Sequence, residues 1–401
     1  MRQKMKRILC YGDSNTWGNI PADGRRYPAD VRWTGVAAKL LGDGYHVTFA
    51  DVNMELIGAL NEEKQYCVHV QDKNPRTFCV TDVDGVSSAG DALVEPICTA
   101  QLITTAVGLR ILPIVAKPIA AGIHARMSAK QTEPLNIVAC ENAIRASSQL
   151  KTAVYALLDE ETRTFADACV GFADCAVDRI VPKASFEAPL DVAVEEFSEW
   201  DVEKSGWKGE LPQIDGMALV DNLDAYIERK LFTLNSGHAI CAYLGCLRGH
   251  RTILESIQDP AISTIVYKAM QQSGAGLVRK FSMDAVAHQA YIDRIFARFH
   301  NPYLQDEVTR VGREPIRKLA ATDRLISPLL TAYGYSLPVD ELLFGAAAAL
   351  RYENDEDPQS VELQKAIQTA GADAALARYS GLTAEHPLSA RILDIYRALG
   401  I

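Results

Sequence analysis

The sequence predicts two domains: a parallel α/β sheet domain over residues 1–188 and an all-helical domain over residues 189–401. Three observations carry this. A chain of 401 residues is longer than one ordinary hydrophobic core accommodates. In the first half, short apolar runs alternate with helix-patterned segments, as in a parallel sheet with crossover helices. Past PKASFEAPLD, around residue 185, strand-like runs cease and amphipathic segments follow one another to the C-terminus.

Four runs read as strands: RILCY (7–11), HVTFADV (46–52), LITTAV (102–107) and LNIVAC (135–140). Between the first two, ADVRWTGVAAKLLGDG (29–44) reads as a helix. Val31, Val36, Ala37, Leu40 and Leu41 share one face, Asp30 can cap its start, and Gly42 and Gly44 end it. The stretch 108–129 reads as a helix broken by its prolines. In the second half, helical patterns run over 222–247, 262–281, 285–299, 317–335, 341–352, 360–371 and 387–400.

Composition excludes several classes. A hydrophobic content of 48% with 23% charged residues is that of a globular chain, not a disordered one. A net charge of −10 argues against a nucleic-acid binder, which needs a basic face. No stretch approaches the roughly 20 apolar residues of a membrane span. Arg2, Lys4, Lys6 and Arg7 precede an apolar run too short for a signal peptide. Nine cysteines, an odd number with no C-x-x-C pair, argue against structural zinc and against a disulfide framework. A reducing, cytoplasmic location is therefore expected. No feature specifies an oligomer.

Four features could carry chemistry. The stretch YGDSNTWG feeds an apolar strand into the Gly12-Asp13-Ser14 turn. A hydrolase places a nucleophilic serine there, whereas a dinucleotide-binding protein places its glycine fingerprint there. In ERKLFTLNSGHA (228–239), Lys230, Asn235 and His238 are spaced five and then three apart. They converge if the helix loosens at that point, and Gly237 permits close approach. A lysine whose pKa is lowered by burial can act as a general base there, with the amide and imidazole binding an oxygen. The alternative is a helix with a capping Asn and a satisfied His. Arg310, Arg313, Arg317 and Lys318 form a basic group in an acidic chain, suited either to phosphate oxygens or to a solvated helix face. Asp51 ends a strand, where it is either a turn residue or a partner of ribose hydroxyls.

The segments KLFTLNSGHA, IVACEN (137–142), FADCAVDRIVP (172–182), VEEFSEWDVEK (194–204) and RFHNPYLQDEVTRVGREPIRKL (298–319) occur in an order and at separations that resemble the polyol-specific long-chain dehydrogenases. The nearest likeness is to those acting on mannitol 1-phosphate at carbon 5, from about Val47 to the C-terminus. The resemblance implies a Rossmann-like N-terminal domain, NAD as cofactor, no metal, and interconversion of D-mannitol 1-phosphate and fructose 6-phosphate. It implies Lys230 as the base that takes the hydroxyl proton, with Asn142 and Asn235 holding the substrate oxygen beside His238. Asp178 and Arg310 would contact the substrate, and Arg313, Arg317 and Lys318 are candidates for its phosphate. Asp51 would bond the adenosine ribose. Thr104, Thr105, Ala106, Val107 and Gly108 would form a loop near the nicotinamide.

The opening stretch departs from that family. Where a G-x-G-x-x-G turn is expected, the chain reads GDSNTWG (12–18): Gly12 fits, Ser14 stands at the second glycine, and Asp13 adds a negative charge. Gly12 and Asp51 also lie further apart than the roughly 20 residues usual for this fold. Residues 7–44 instead resemble the first block of GDSL-type (SGNH) esterases, in which Ser14 would be the nucleophile. That family's G-x-N-D and D-x-x-H blocks are missing; Asp284 and His288 come nearest, with one residue too many. The chain thus reads as an esterase-like first βα unit joined to a dehydrogenase, and weakened NAD binding is expected. A serine esterase and a non-catalytic sugar-phosphate-binding protein are the alternatives.

Overall fold

The computed structural model describes residues 6–12, 45–72, 74–141, 143–179, 186–304 and 306–400. The chain divides into two compact units, Met1–Leu223 and Asp224–Ile401. In the first unit, six parallel strands form the central sheet: β1 (Lys6–Gly12), β2 (Tyr45–Asp51), β5 (Val83–Ser87), β6 (Leu102–Ala106), β7 (Leu135–Ala139) and β8 (Val170–Phe172). Their order is β5-β2-β1-β6-β7-β8. Numbered as they enter this sheet, that is 3-2-1-4-5-6, the doubly wound order whose topological switch point lies between β1 and β6. All four strands read from the sequence are in it.

Both faces of the sheet are covered, which is why its strands are apolar throughout and not alternating. Ile8, Cys10, Val47 and Phe49 face one core, shared with Tyr66, Val68, Val80 and Trp200 from the smaller sheets. Leu9, Tyr11, Ala50 and Ile103 face the other, shared with Val115, Ile119 and Ile123 of α3 (Leu112–Ser128) and Leu150 of α4 (Ala146–Tyr155). Each such large apolar side chain contributes about 1.5–3 kcal/mol when removed from water. α1 (Met54–Glu63) follows β2 directly because Asn53 caps it, its Oδ1 accepting from the amides of Glu55 and Leu56. α2 (Val94–Thr99) and α5 (Glu160–Cys169) complete the helices of this unit up to Cys169.

Two small sheets were not legible in the sequence. β3 (Gln65–Val70) pairs antiparallel with β4 (Arg76–Thr81) and parallel with β10 (Val192–Val194). β11 (Glu199–Glu203) lies between β9 (Cys175–Asp178) and β12 (Met217–Val220). These pairings move the domain boundary. It falls at Leu223 and not at residue 188, because β10 bonds to β3 and β11 to β9, tying 192–220 to the first unit.

Two further expectations are corrected. α3 is continuous through Pro118. The carbonyl that this proline leaves without an amide belongs to Ile114, which is 59% exposed, so water can take its bond. Cys67 and Cys79 form a disulfide, since the β3–β4 register sets them directly opposite each other. The other seven cysteines are free.

The second unit is helical. α6 (Leu223–Lys230) runs through a π-helical turn (Leu231–Asn235) into α7 (Ser236–Leu247). α8 (Ile253–Gln258), α9 (Pro260–Phe281) and α10 (Ala285–Phe299) follow, then the short α11 (Val308–Gly312) and α12 (Pro315–Lys318). α13 (Ser327–Gly334), α14 (Asp340–Leu350), α15 (Pro358–Ala370), α16 (Ala372–Ser380) and α17 (Pro387–Ala398) end the chain. The pattern read as one helix over 317–335 is two shorter pieces, α12 and α13. Among the described residues no helix is long and apolar enough to cross a membrane.

Candidate active site

At the carboxyl edge of the parallel sheet, Gly12 at the end of β1 is in register with Ala106 at the end of β6, so the two strands flanking the switch point finish level. Asp51 ends β2 beside them and is wholly buried. Its Oδ1 accepts from the Asn53 amide at 2.8 Å, while Oδ2 is buried with no partner among the described residues. Burial pushes its carboxyl up to about 6, against the opposing pull of the Asn53 and Val52 amides. A buried carboxylate oxygen without a donor, at the end of the second strand of a doubly wound sheet, is chemically suited to a ribose hydroxyl.

The turn after β6 is fixed from an unexpected direction. Glu141, just past β7 and buried, accepts from Thr105 Oγ1, from the Val107 amide and from the Gly108 amide, each at 2.9 Å. Nothing in the sequence singled out Glu141, because an acidic residue after a strand is ordinarily a turn residue. Asp178 closes β9 opposite Glu199 and is buried. Asn142, Ser14 and the helix read over 29–44 lie outside the described residues.

In the helical unit, the π-turn decides which side chains share a face. On a straight α-helix, residues five apart point about 140° away from each other. Widening the helix over Leu231–Asn235 brings Lys230 and Asn235 into line, and His238 follows one turn on. Lys230, Asn235 and His238 are half-buried, while Phe232–Leu234, Ser236 and Gly237 are buried. The turn is held open from α9, where the buried Ser273 hydroxyl donates to the Phe232 carbonyl at 2.8 Å. Gly237 is needed for close packing: a Cβ there would meet Met270 Cγ and Sδ at 2.9 Å. The loosening of the helix that the spacing required is present as this π-turn.

His238 stacks on Phe299 with ring centroids 5.2 Å apart and lies 3.5 Å from Asp306 Oδ2. Burial pushes its pKa down to about 4, with Arg310, Arg298 and Lys318 adding to the depression and Asp306 opposing it. The ring is thus neutral at pH 7. Asp306 also takes Arg310 Nη2 on its other oxygen at 2.5 Å, so one carboxylate holds both His238 and Arg310. Its own backbone is anchored by the Ile253 amide, which donates to Asp306 O. Asp306 was missed in the sequence because its role depends on a tertiary contact with α7.

The basic group does not share one surface. Arg317 is bonded to Glu314 and Asp323. Lys318 is buried, its Nζ donating to the Val311 and Arg313 carbonyls, and burial pushes its pKa down to about 7. Arg313 is exposed, and among the described residues its guanidinium has no acidic partner. The Asp284–His288 pair is not a hydrolase dyad: Asp284 caps α10 by accepting from the Ala287 amide, and both nitrogens of His288 are buried without partners among the described residues. No cluster of three or more His, Cys, Asp or Glu side chains among the described residues could hold a metal ion.

Strand order and switch-point edge define the first unit as a dinucleotide-binding fold, followed by a helical unit that carries a lysine, an amide and a neutral imidazole on one face. Residues 34–216 match the mannitol dehydrogenase Rossmann domain, and residues 222–398 match the mannitol dehydrogenase C-terminal domain. The chain belongs to the mannitol dehydrogenase family. Among solved structures it is similar to D-sorbitol dehydrogenase in substrate-free form, with 14% identity, a TM-score of 0.72, and 93% of this chain and 95% of that chain covered. It is also similar to the Pseudomonas fluorescens mannitol 2-dehydrogenase ternary complex with NAD and D-mannitol, with 16% identity, a TM-score of 0.67, and 98% of this chain and 91% of that chain covered. At these identities the likeness is one of fold. The Rossmann-domain match begins only at residue 34, so β1 holds the central place of the sheet from outside the matched residues.

Proposed function

We propose that this protein is an NAD-dependent oxidoreductase of polyols that interconverts D-mannitol 1-phosphate and fructose 6-phosphate. The observation that carries the reading is the π-turn between Lys230 and Asn235, which turns both toward the face that carries a neutral His238. NAD supplies the hydride acceptor and donor when bound. Asp51 would hold its ribose through the orphaned Oδ2, and Gly12, Thr105, Val107 and Gly108 lie at the edge that would receive the rest.

Lys230 takes the proton from the substrate hydroxyl in the oxidative direction and returns it to the forming alkoxide in the reductive one. Asn235 and Asn142 hold that oxygen. His238 adds a hydrogen bond without adding charge, so it steadies the oxygen without competing with Lys230 for the role of acid. Asp306 keeps both His238 and Arg310 in place. Arg310 contacts substrate oxygens, and Arg313, whose guanidinium has no acidic partner among the described residues, is the candidate for the phosphate. Asp178 is a further substrate contact.

The test is a substrate comparison with NADH as reductant: fructose 6-phosphate against fructose, in wild type and in Arg313→Ala. Preference for the phosphate ester that collapses in Arg313→Ala supports the reading. Equal rates on the two ketoses would limit the assignment to a polyol dehydrogenase without phosphate selectivity. Sugar-phosphate binding with no NADH turnover would favour a binding protein instead.

A further inference from the structure

We propose that Glu141 is a positioning residue for the turn that receives the nicotinamide end of the dinucleotide, an inference that rests on the oxidoreductase reading above. Glu141 is 6% exposed, and among the described residues no lysine, arginine or histidine pairs with it. Its charge is met instead by three neutral donors: Oε1 takes Thr105 Oγ1 and the Val107 amide, and Oε2 takes the Gly108 amide. A buried carboxylate is costly unless its lone pairs are filled, and bonds to an ionised acceptor are shorter and stronger than neutral ones. A residue needed only to fill space there would be apolar.

The geometry explains why a carboxylate is used. A carboxylate is acceptor-only, so it can receive two successive backbone amides and a hydroxyl at once; a glutamine must turn an NH2 toward at least one of those donors. With both amides drawn onto Glu141, the backbone of 107–108 is held in one conformation, including Gly108 at φ +84°. The Cys140 amide donates to the Thr105 carbonyl at 2.8 Å, so β6 and β7 stay paired up to the residue before Glu141. The clamp therefore joins the ends of β6 and β7 beside the switch point, at the position in sequence immediately before Asn142.

The experiment compares wild type, Glu141→Gln and Thr105→Val by fluorescence titration with NADH and by steady-state kinetics with fructose 6-phosphate. Glu141→Gln is expected to raise the Kd and KM for NADH by about 10- to 100-fold, the usual worth of a hydrogen bond to a charged group. KM for the sugar phosphate and kcat at saturating NADH change little. Thr105→Val, which removes one of the three donors, is expected to give a smaller rise of the same kind. If Glu141→Gln does not fold, Thr105→Val decides. Unchanged NADH affinity in a folded variant overturns the proposal, and so does a rise in both KM values together with a fall in kcat, which marks general loosening. Failure of the wild type itself to bind NADH overturns the oxidoreductase reading first, and this proposal with it.

Discussion

His288→Leu should stabilise the protein, and more so in acid. The imidazole is 5% exposed, and among the described residues both nitrogens lack partners. A Cβ at Gly274 would meet its Nε2 at 2.8 Å, so the ring lies directly on the backbone of α9. Leaving a buried polar group unsatisfied costs about 1–3 kcal/mol, which Leu would recover at pH 8. The second contribution depends on pH. Burial, aided by the nearby Arg229, pushes the His288 pKa from 6.5 down to about 4. The unfolded chain therefore binds a proton below about pH 6.5 that the folded chain refuses until about pH 4. Stability is full above the unfolded pKa and falls with pH across that window. Integrated from pH 8 to pH 5, the loss is at most about 2 kcal/mol. Leu has no such loss. The Tm advantage of His288→Leu should therefore widen by about 4–8 °C between pH 8 and pH 5 in thermal unfolding of the helical unit. Other titrating groups are common to both proteins and cancel in the difference. An equal advantage at both pH values, or a less stable variant, would refute the reasoning.

Two further outcomes follow from the site. Asp306→Asn, which weakens the hold on both His238 and Arg310, should lower kcat/KM by about tenfold or more while leaving the fold intact; circular dichroism and steady-state kinetics together check this. Ser273→Ala leaves the Phe232 carbonyl without its donor in a buried place, so stability should drop by about 1–3 kcal/mol, read as a lower Tm, with activity falling in parallel as the π-turn loosens.

Much of the parallel sheet could be read from the sequence, because a strand buried on both faces is a continuous apolar run. RILCY, HVTFADV, LITTAV and LNIVAC all appear within a residue or two of their expected bounds. The small sheets could not. β10 is three residues long, and β4 has mostly exposed positions, too little pattern to separate from loop. The strands that lie past residue 188, β10, β11 and β12, account for the misplaced boundary. The disulfide was illegible for a related reason: Cys67 and Cys79 meet only through the register of a hairpin that the sequence did not announce. Within the site, the spacing of Lys230, Asn235 and His238 was itself the clue, since five and then three is wrong for a straight helix and right for one with a π-turn. Asp306 and Glu141 gave no such clue. Each acts through a tertiary contact, one with α7 and Arg310 and one with the turn after β6, and neither contact leaves a local pattern.

The central claim is that this chain carries out hydride transfer with Lys230 as the base. Its most direct test is fructose-6-phosphate-dependent oxidation of NADH by the purified protein, with Lys230→Ala alongside. The account predicts turnover by the wild type and its loss in a folded Lys230→Ala. Turnover that survives in Lys230→Ala would contradict the assignment of the base, and no turnover by a folded wild-type protein would contradict the claim itself.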